Sequence, residues 1–142
     1  SDSMHYLRFI TQQYHDGVPS PWGIIHKELG TLIGTIGYHV WSLPNSFGEV
    51  GYALSKDFWN KGYTTEAFNE VIRFGFETMK LNRVEATCKL ANSASEKVMQ
   101  KCGLEYEGIL RKRLFAKYEF HDLKLYSIIK DKWEQIQQSK IK

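Results

Sequence analysis

The sequence predicts an α/β fold whose strands run in mixed directions, and three features carry that expectation. After residue 64 the apolar positions Ala67, Phe68, Val71, Ile72, Gly75, Phe76 and Met79 recur at steps of three and four, a helical stripe. Around it lie short runs rich in strand formers and bounded by glycine and proline. Helices and strands then alternate along the chain, the pattern of a layered α/β domain.

In order, "MHYLRFITQQYH" (4–15) places Tyr6, Leu7, Ile10 and Tyr14 at helical steps, so a first helix is expected there. "DGVPSP" ends it with Gly17, Pro19 and Pro21. "WGIIHKE" and "TLIGTIGYHVW" read as two strands of a hairpin turning at Leu29-Gly30. "SLPNS" is a loop. "GEVGYAL" (48–54) is a short strand with Val50, Tyr52 and Leu54 on one face and Glu49, Gly51 and Ala53 on the other. The striped helix is expected over 65–79, followed by a strand in "NRVEATCKL". Ser93 and Glu96 fit a capping box that would start a second helix at Ser93, with Ala94, Val98 and Cys102 inward and Gly103 as its left-handed stop. "LEYEGILRKRLF" and "DLKLYSIIK" are long strands joined by "AKYEFH", and the polar tail forms a short helix or frays.

The chain has 142 residues, 42% hydrophobic and 25% charged, which fits one globular domain. A net charge of +3 suits an anionic ligand but, without a recognition motif, does not argue for nucleic acid. No apolar run approaches the roughly 18 residues of a membrane span. Cys88 and Cys102 lack both CxxC spacing and disulfide-scaffold density, pointing to a reducing, cytoplasmic setting and to core roles. The five histidines show no metal-ligand spacing, so no metal is expected.

The stretch "FWNKGYTTEAF" (58–68) carries the most chemistry. Strand, glycine loop and helix start offer unpaired amides and partial positive charge to an anion, especially a phosphate. Gly62 lets a ligand approach, Lys61 adds charge, and Thr64 and Thr65 add hydroxyls. Taken alone, the stretch fits either a diphosphate cradle or a threonine-capped loop with no ligand.

"EVGYALSKDFWNKGYTTEA" followed by "LANSASEKVMQKCGLEYEG" resembles the GNAT superfamily of acetyl-CoA-dependent N-acetyltransferases, most closely the branch that acetylates ribosomal-protein N-termini. The likeness runs from about Trp22 to Trp133. It implies a central, mostly antiparallel mixed sheet flanked by helices, with a splayed central strand pair. Asn60, Lys61, Gly62, Tyr63, Thr64 and Thr65 fall on the family's pyrophosphate loop. Leu54 and Ser55 fall where the strand splays and its backbone meets the pantetheine arm, the Leu54 N–H serving the oxyanion. Asn92 falls on the asparagine that bonds the pantetheine, and Ser95 lies close to the coenzyme sulfur.

Asn60 and Thr64 stand where the family has smaller residues, and Met99 stands where many members carry a tyrosine acid. The resemblance also implies a single acetyltransferase domain over 1–142 that lacks the family's first strand and helix. Acetyl-CoA is the implied co-substrate and an amine, on a protein N-terminus or a small molecule, the acceptor. The chain would act as a monomer or homodimer, and a silent acyl-CoA-binding module is the alternative.

A proton acceptor is needed to free the amine. Glu49 is the candidate, beside Gly51 and Ala53, which would leave room for substrate, and His39 is the rival. Each also fits an ordinary surface or packing role. Tyr126 either lines the acceptor pocket or packs. Arg111, Lys112 and Arg113 form one basic cluster, with Arg111 and Arg113 on one strand face, meeting an anion or only solvent.

Overall fold

The computed structural model describes residues 5–9 and 21–141. Strands β1 (His5–Phe9), β2 (Pro21–His26), β3 (Leu32–Ser42) and β4 (Phe47–Leu54) come first. Helix α1 (Tyr63–Glu77), strand β5 (Arg83–Lys89), helix α2 (Ser93–Lys101), strands β6 (Glu105–Ala116) and β7 (Glu119–Ile129) and helix α3 (Lys130–Ile141) follow. The strands form one seven-stranded sheet in the order β1-β2-β3-β4-β5-β7-β6. Among the described residues, only β4 and β5 pair in parallel; every other neighbouring pair is antiparallel.

The first expectation to fall is the helix over 4–15. Residues 5–9 form β1, paired antiparallel with β2 from His5↔His26 to Phe9↔Trp22. Four apolar positions at helical steps in twelve residues are a weak helical signal, and sheet pairing satisfies the same backbone groups as helix formation would. Ile10 and Tyr14 lie outside the described residues.

Helix α1 begins two residues earlier than its apolar stripe suggested, because Gly62 takes the left-handed conformation (φ 83°) at the N-cap. Its buried face is the predicted one with Tyr63 added, except that Met79, though buried, lies past the helix end at Glu77; the face packs into one core with Tyr38, Val50 and Val84 of the sheet. Gly75 is the closest point of contact. Burial holds the Tyr38 phenol protonated well above its ordinary range, and its hydroxyl donates to the Val71 carbonyl at 2.8 Å. A Cβ at Gly75 would overlap that hydroxyl and stand 2.9 Å from the ring carbon bearing it. Gly75→Ala is therefore expected to cost about 2 kcal/mol, overpacking and the displaced hydrogen bond outweighing the helix-propensity gain of about 1 kcal/mol. A denaturant midpoint equal to or above wild type would contradict this contact.

Helix α2 starts at Ser93 as expected, but Asn92 caps it: its Oδ1 accepts the Ser95 N–H at 3.0 Å. The Ser93–Glu96 capping box does not form. Glu96 turns to the Tyr126 hydroxyl and to Lys124, whose Nζ lies 3.1 Å away. The buried face accordingly reads Ser95, Met99 and Cys102, while Ala94 is exposed and Val98 half-buried. Gly103 ends the helix at φ 90°, with Leu104 N–H returning to the Met99 carbonyl.

The β6–β7 hairpin closes through Lys117 and Tyr118, both at positive φ, a tighter turn than the joining segment expected from sequence. A register shift between Leu110 and Leu114 interrupts the alternation used to put Arg111 and Arg113 on one face. All three basic residues of the cluster are exposed.

Both cysteines are free and buried. Cys88 is raised by burial, and burial pushes the Cys102 thiol up to about 12. Neutral Cys102 therefore favours the fold below the unfolded thiol value of about 8.5, an advantage lost as pH climbs from there to about 12. Iodoacetamide at pH 8 is expected to leave both thiols unlabelled in native protein and to label both in denaturant. Rapid native labelling would show these sites to be open.

Candidate active site

The site starts from a break in the sheet. Parallel strands β4 and β5 pair only through Phe47↔Arg83, Gly48↔Val84 and Glu49↔Glu85. Past that point β4 stays with β3 as far as Leu54↔Gly34, and β5 stays with β7 as far as Lys89↔Leu123. The strands open into a V whose apex lies at Glu49 and Glu85. Helices α1 and α2 begin just after the two arms, so both N-termini stand at the carboxyl ends of the parallel strands, where α/β sheets collect ligands.

The β4 arm offers backbone groups to the gap. Ser55 N–H donates to the Ile33 carbonyl at 2.7 Å, on the β3 side. By strand alternation the Leu54 N–H points the other way, into the V. The Leu54 carbonyl on that side accepts the Trp59 indole N–H at 2.8 Å. Leu54 thus keeps a donor facing the gap, whereas the Ser55 N–H is committed to β3. Gly34 permits this end of β4 to lie so close: a Cβ there would stand 3.0 Å from a Leu54 methyl and 3.1 Å from its Cα.

At the mouth, Asn60 and Gly62 both hold positive φ (61° and 83°), which turns the chain sharply into α1. The first helical bond runs from Glu66 N–H to the Gly62 carbonyl, so the amides of Thr64 and Thr65 stand ahead of it at the exposed helix end. No side chain caps that end. A Cβ on Gly62 would meet nothing within 4 Å. Lys61 Nζ lies 5.8 Å from the Phe58 ring centroid. Tyr63 points inward instead: it is buried, and its hydroxyl bonds His26 Nε2 at 3.0 Å. Since His26 Nδ1 accepts the Leu29 N–H, the His26 proton sits on Nε2 and the hydroxyl accepts it. Only the backbone of Tyr63 serves the mouth.

Across the V, Tyr52 of β4 meets Ser95 of α2, hydroxyl to hydroxyl at 2.6 Å. Burial raises the Tyr52 phenol, partly offset by the Ser95 bond. Met99, one turn along α2, is core. Behind Ser95, the hydrogen bonds from Tyr126 and then Lys124 hold the Glu96 carboxyl below the usual range. Tyr126 is buried and committed to this cluster, with Gln100 Nε2 also donating to its hydroxyl. Sequence reasoning named Ser95 but not Tyr52. The available signal was a phenol in an otherwise apolar strand face, since a buried tyrosine hydroxyl needs a partner.

On the opposite face of the sheet the two rival proton acceptors come together. His39 Nε2 lies 3.1 Å from Glu49 Oε2, and Thr87 Oγ1 donates to the same oxygen at 3.4 Å. The space that Gly51 and Ala53 were expected to leave for substrate is, above Gly51, filled by the His39 ring.

Residues 1–105 match the family model described as an acetyltransferase (GNAT) domain. The chain is 33% identical over 109 residues to the uncharacterised N-acetyltransferase YoaA of Bacillus subtilis (strain 168), covering 77% of this chain and 62% of that protein. It is 32% identical over 130 residues to the uncharacterised N-acetyltransferase p20 of Bacillus licheniformis, covering 92% of this chain and 73% of that protein. Among solved structures, it is similar to the ribosomal-protein-S5-alanine acetyltransferase from Vibrio fischeri at 30% identity and a TM-score of 0.75, covering 82% of this chain and 64% of that one. The chain thus spans somewhat under two thirds of the length of YoaA and of the Vibrio fischeri enzyme. The splayed parallel pair, the two helix starts at its mouth and the family match agree, and the chain belongs to the GNAT acetyltransferase family.

Proposed function

We propose that the protein transfers an acetyl group from acetyl-CoA to a primary amine, most favourably the α-amine of a protein N-terminus. The observation that carries the reading is the V between β4 and β5, with a backbone donor at Leu54 facing into it and the α1 start at its mouth. The exposed amides after Gly62, with Lys61 beside them, suit a diphosphate. Asn60 and Thr64 do not fill the mouth, since both are at least partly exposed and Gly62 faces open space. The opening beyond, where β4 and β5 no longer pair, leaves strand backbone for the amide-bearing pantetheine arm to meet, and Asn92 stands at the α2 side of it.

Leu54 N–H supplies a preorganised donor to the oxyanion that forms when the amine attacks the thioester carbonyl. The Tyr52–Ser95 hydroxyl pair stands across the gap and offers a proton to the departing thiolate, a role Met99 cannot fill. Glu49 lies at the apex, five residues back along β4 from Leu54, so it receives the amine's proton through water in the gap. An α-amine suits this modest apparatus: freeing it at pH 7 costs roughly 1 kcal/mol, against roughly 4.6 kcal/mol for a lysine side chain. The similarity to a ribosomal-protein-S5-alanine acetyltransferase favours a protein amine as acceptor.

Calorimetric titration with acetyl-CoA and then CoA, followed by turnover on a panel of peptides with free N-termini and of small amines, tests the reading. Micromolar binding and peptide acetylation are expected. Binding without turnover on any amine would instead favour a silent acyl-CoA-binding module, and no binding would remove both.

A further inference from the structure

We propose that His39 is the exit route for the proton that Glu49 takes from the acceptor amine, so that the two side chains form one relay from the apex of the V to solvent. The inference rests on the acetyl-transfer reading above.

Glu49 is poorly placed to discharge a proton unaided. Its side chain is only 14% exposed, and one carboxylate oxygen already meets both His39 and Thr87. Its register partner across the apex is Glu85, which is held by Arg83 at 2.8 Å, and Arg83 in turn pairs with Glu107. The β5 side therefore presents a closed ion-pair network rather than a proton acceptor. His39 lies on the other side, 3.1 Å from Glu49 and 54% exposed. It lines an open cleft of about 440 Å³ together with Thr35, Gly37, Gly51 and Ala53.

Two backbone features put the imidazole there. The β3–β4 register shifts between Tyr38↔Val50 and Val40↔Glu49, so His39 is the extra residue of a bulge, which re-aims a side chain. Gly51 then provides the floor: a Cβ at that position would stand 2.5 Å from His39 Nδ1 and 2.8 Å from Cε1. The absence of a side chain at 51 is what lets the ring lie against β4 within reach of Glu49.

The neutral amine attacks, a C–N bond forms, and the C–S bond breaks as the thiolate leaves with its electron pair and takes up one proton from the Tyr52–Ser95 pair, which regains one from water. The nitrogen sheds one proton, which water in the gap carries to the Glu49 carboxylate. Protonated Glu49 passes it to the lone pair of His39 Nε2, and the imidazolium releases a proton to water in the cleft. Imidazole, alone among these side chains, accepts and releases protons readily near neutral pH.

The test separates proton carriage from hydrogen-bond geometry. His39→Gln keeps a hydrogen-bonding group beside Glu49 but cannot carry a proton. His39→Ala opens a space that added imidazole can enter. Both variants are expected to lose at least about tenfold in kcat with acetyl-CoA affinity unchanged, and imidazole is expected to restore His39→Ala but not His39→Gln. Gly51→Ala, which displaces the ring without removing it, is expected to lose rate as well. Wild-type turnover by His39→Gln, or no response of His39→Ala to imidazole, would overturn the relay alone. Absence of acetyl transfer by the wild-type chain would overturn the function itself and the relay with it.

Discussion

Replacing Glu49 with glutamine is expected to lower kcat by about 10²- to 10³-fold, the range that loss of a positioned general base produces. Glutamine has nearly the same size and shape, and its amide oxygen can still accept from Thr87. The acetyl-CoA dissociation constant should not move, because the coenzyme reading places its contacts on Leu54, the Gly62 turn and Asn92, not on the Glu49 face. A fall in kcat at constant coenzyme affinity is the signature of a group that acts on the acceptor's proton. Steady-state kinetics with a peptide amine, alongside a calorimetric titration, give both numbers. Turnover equal to wild type would remove Glu49 as the base and return the role to another group at the apex.

Gly62→Val is expected to weaken acetyl-CoA binding by at least about 100-fold, near 2.8 kcal/mol at 1.4 kcal/mol per tenfold. Two effects add. A β-branched residue resists the left-handed conformation at φ 83°, at a cost of roughly 1–2 kcal/mol that appears as lost stability or as a rearranged turn. The new side chain also projects into the open space in front of the α1 amides, where the diphosphate would sit. Gly62→Asn separates the two, since asparagine tolerates the conformation yet still adds bulk. If Gly62→Asn keeps wild-type stability and loses binding, the space is the coenzyme's. If Gly62→Val binds acetyl-CoA as tightly as wild type, the turn is only a helix start and the cradle reading is wrong.

Much of the scaffold was legible because its signals are local. The α1 stripe, the stop at Gly103 and the hairpin of β2 and β3 are each set by neighbours within one or two turns of chain. The left-handed turn at Gly62 belongs to the same class, since glycine adopts φ 83° without the Cβ penalty. Leu54, the α1 start and Asn92–Ser95 lie at the opening between β4 and β5, whereas the Tyr63 hydroxyl bonds His26 and the Ser55 N–H is committed to β3.

What sequence reading misplaced depends on pairing between distant segments. The apolar spacing of residues 4–15 pointed to a helix, but β2 offered residues 5–9 a complete antiparallel partner, and pairing overrode a weak local pattern. Glu96 left its expected capping box because Lys124 and Tyr126, about thirty residues on, offer an ion pair and a hydroxyl donor, while Asn92 was free to cap instead. Tyr52 and Ser95 meet only because α2 lies across the V.

His39 and Glu49 looked like competitors in the sequence, each with an unremarkable alternative role. Their contact requires a one-residue bulge and a bare glycine on the neighbouring strand, and neither shows in a period-2 pattern. The sequence by itself determined α1, α2, most of the strands, the family and the backbone conformation at the mouth, because these are fixed by short-range sterics and periodicity. Only the tertiary structure decided which polar side chains face one another across the sheet, because strand register and bulges, not chain neighbours, set those distances.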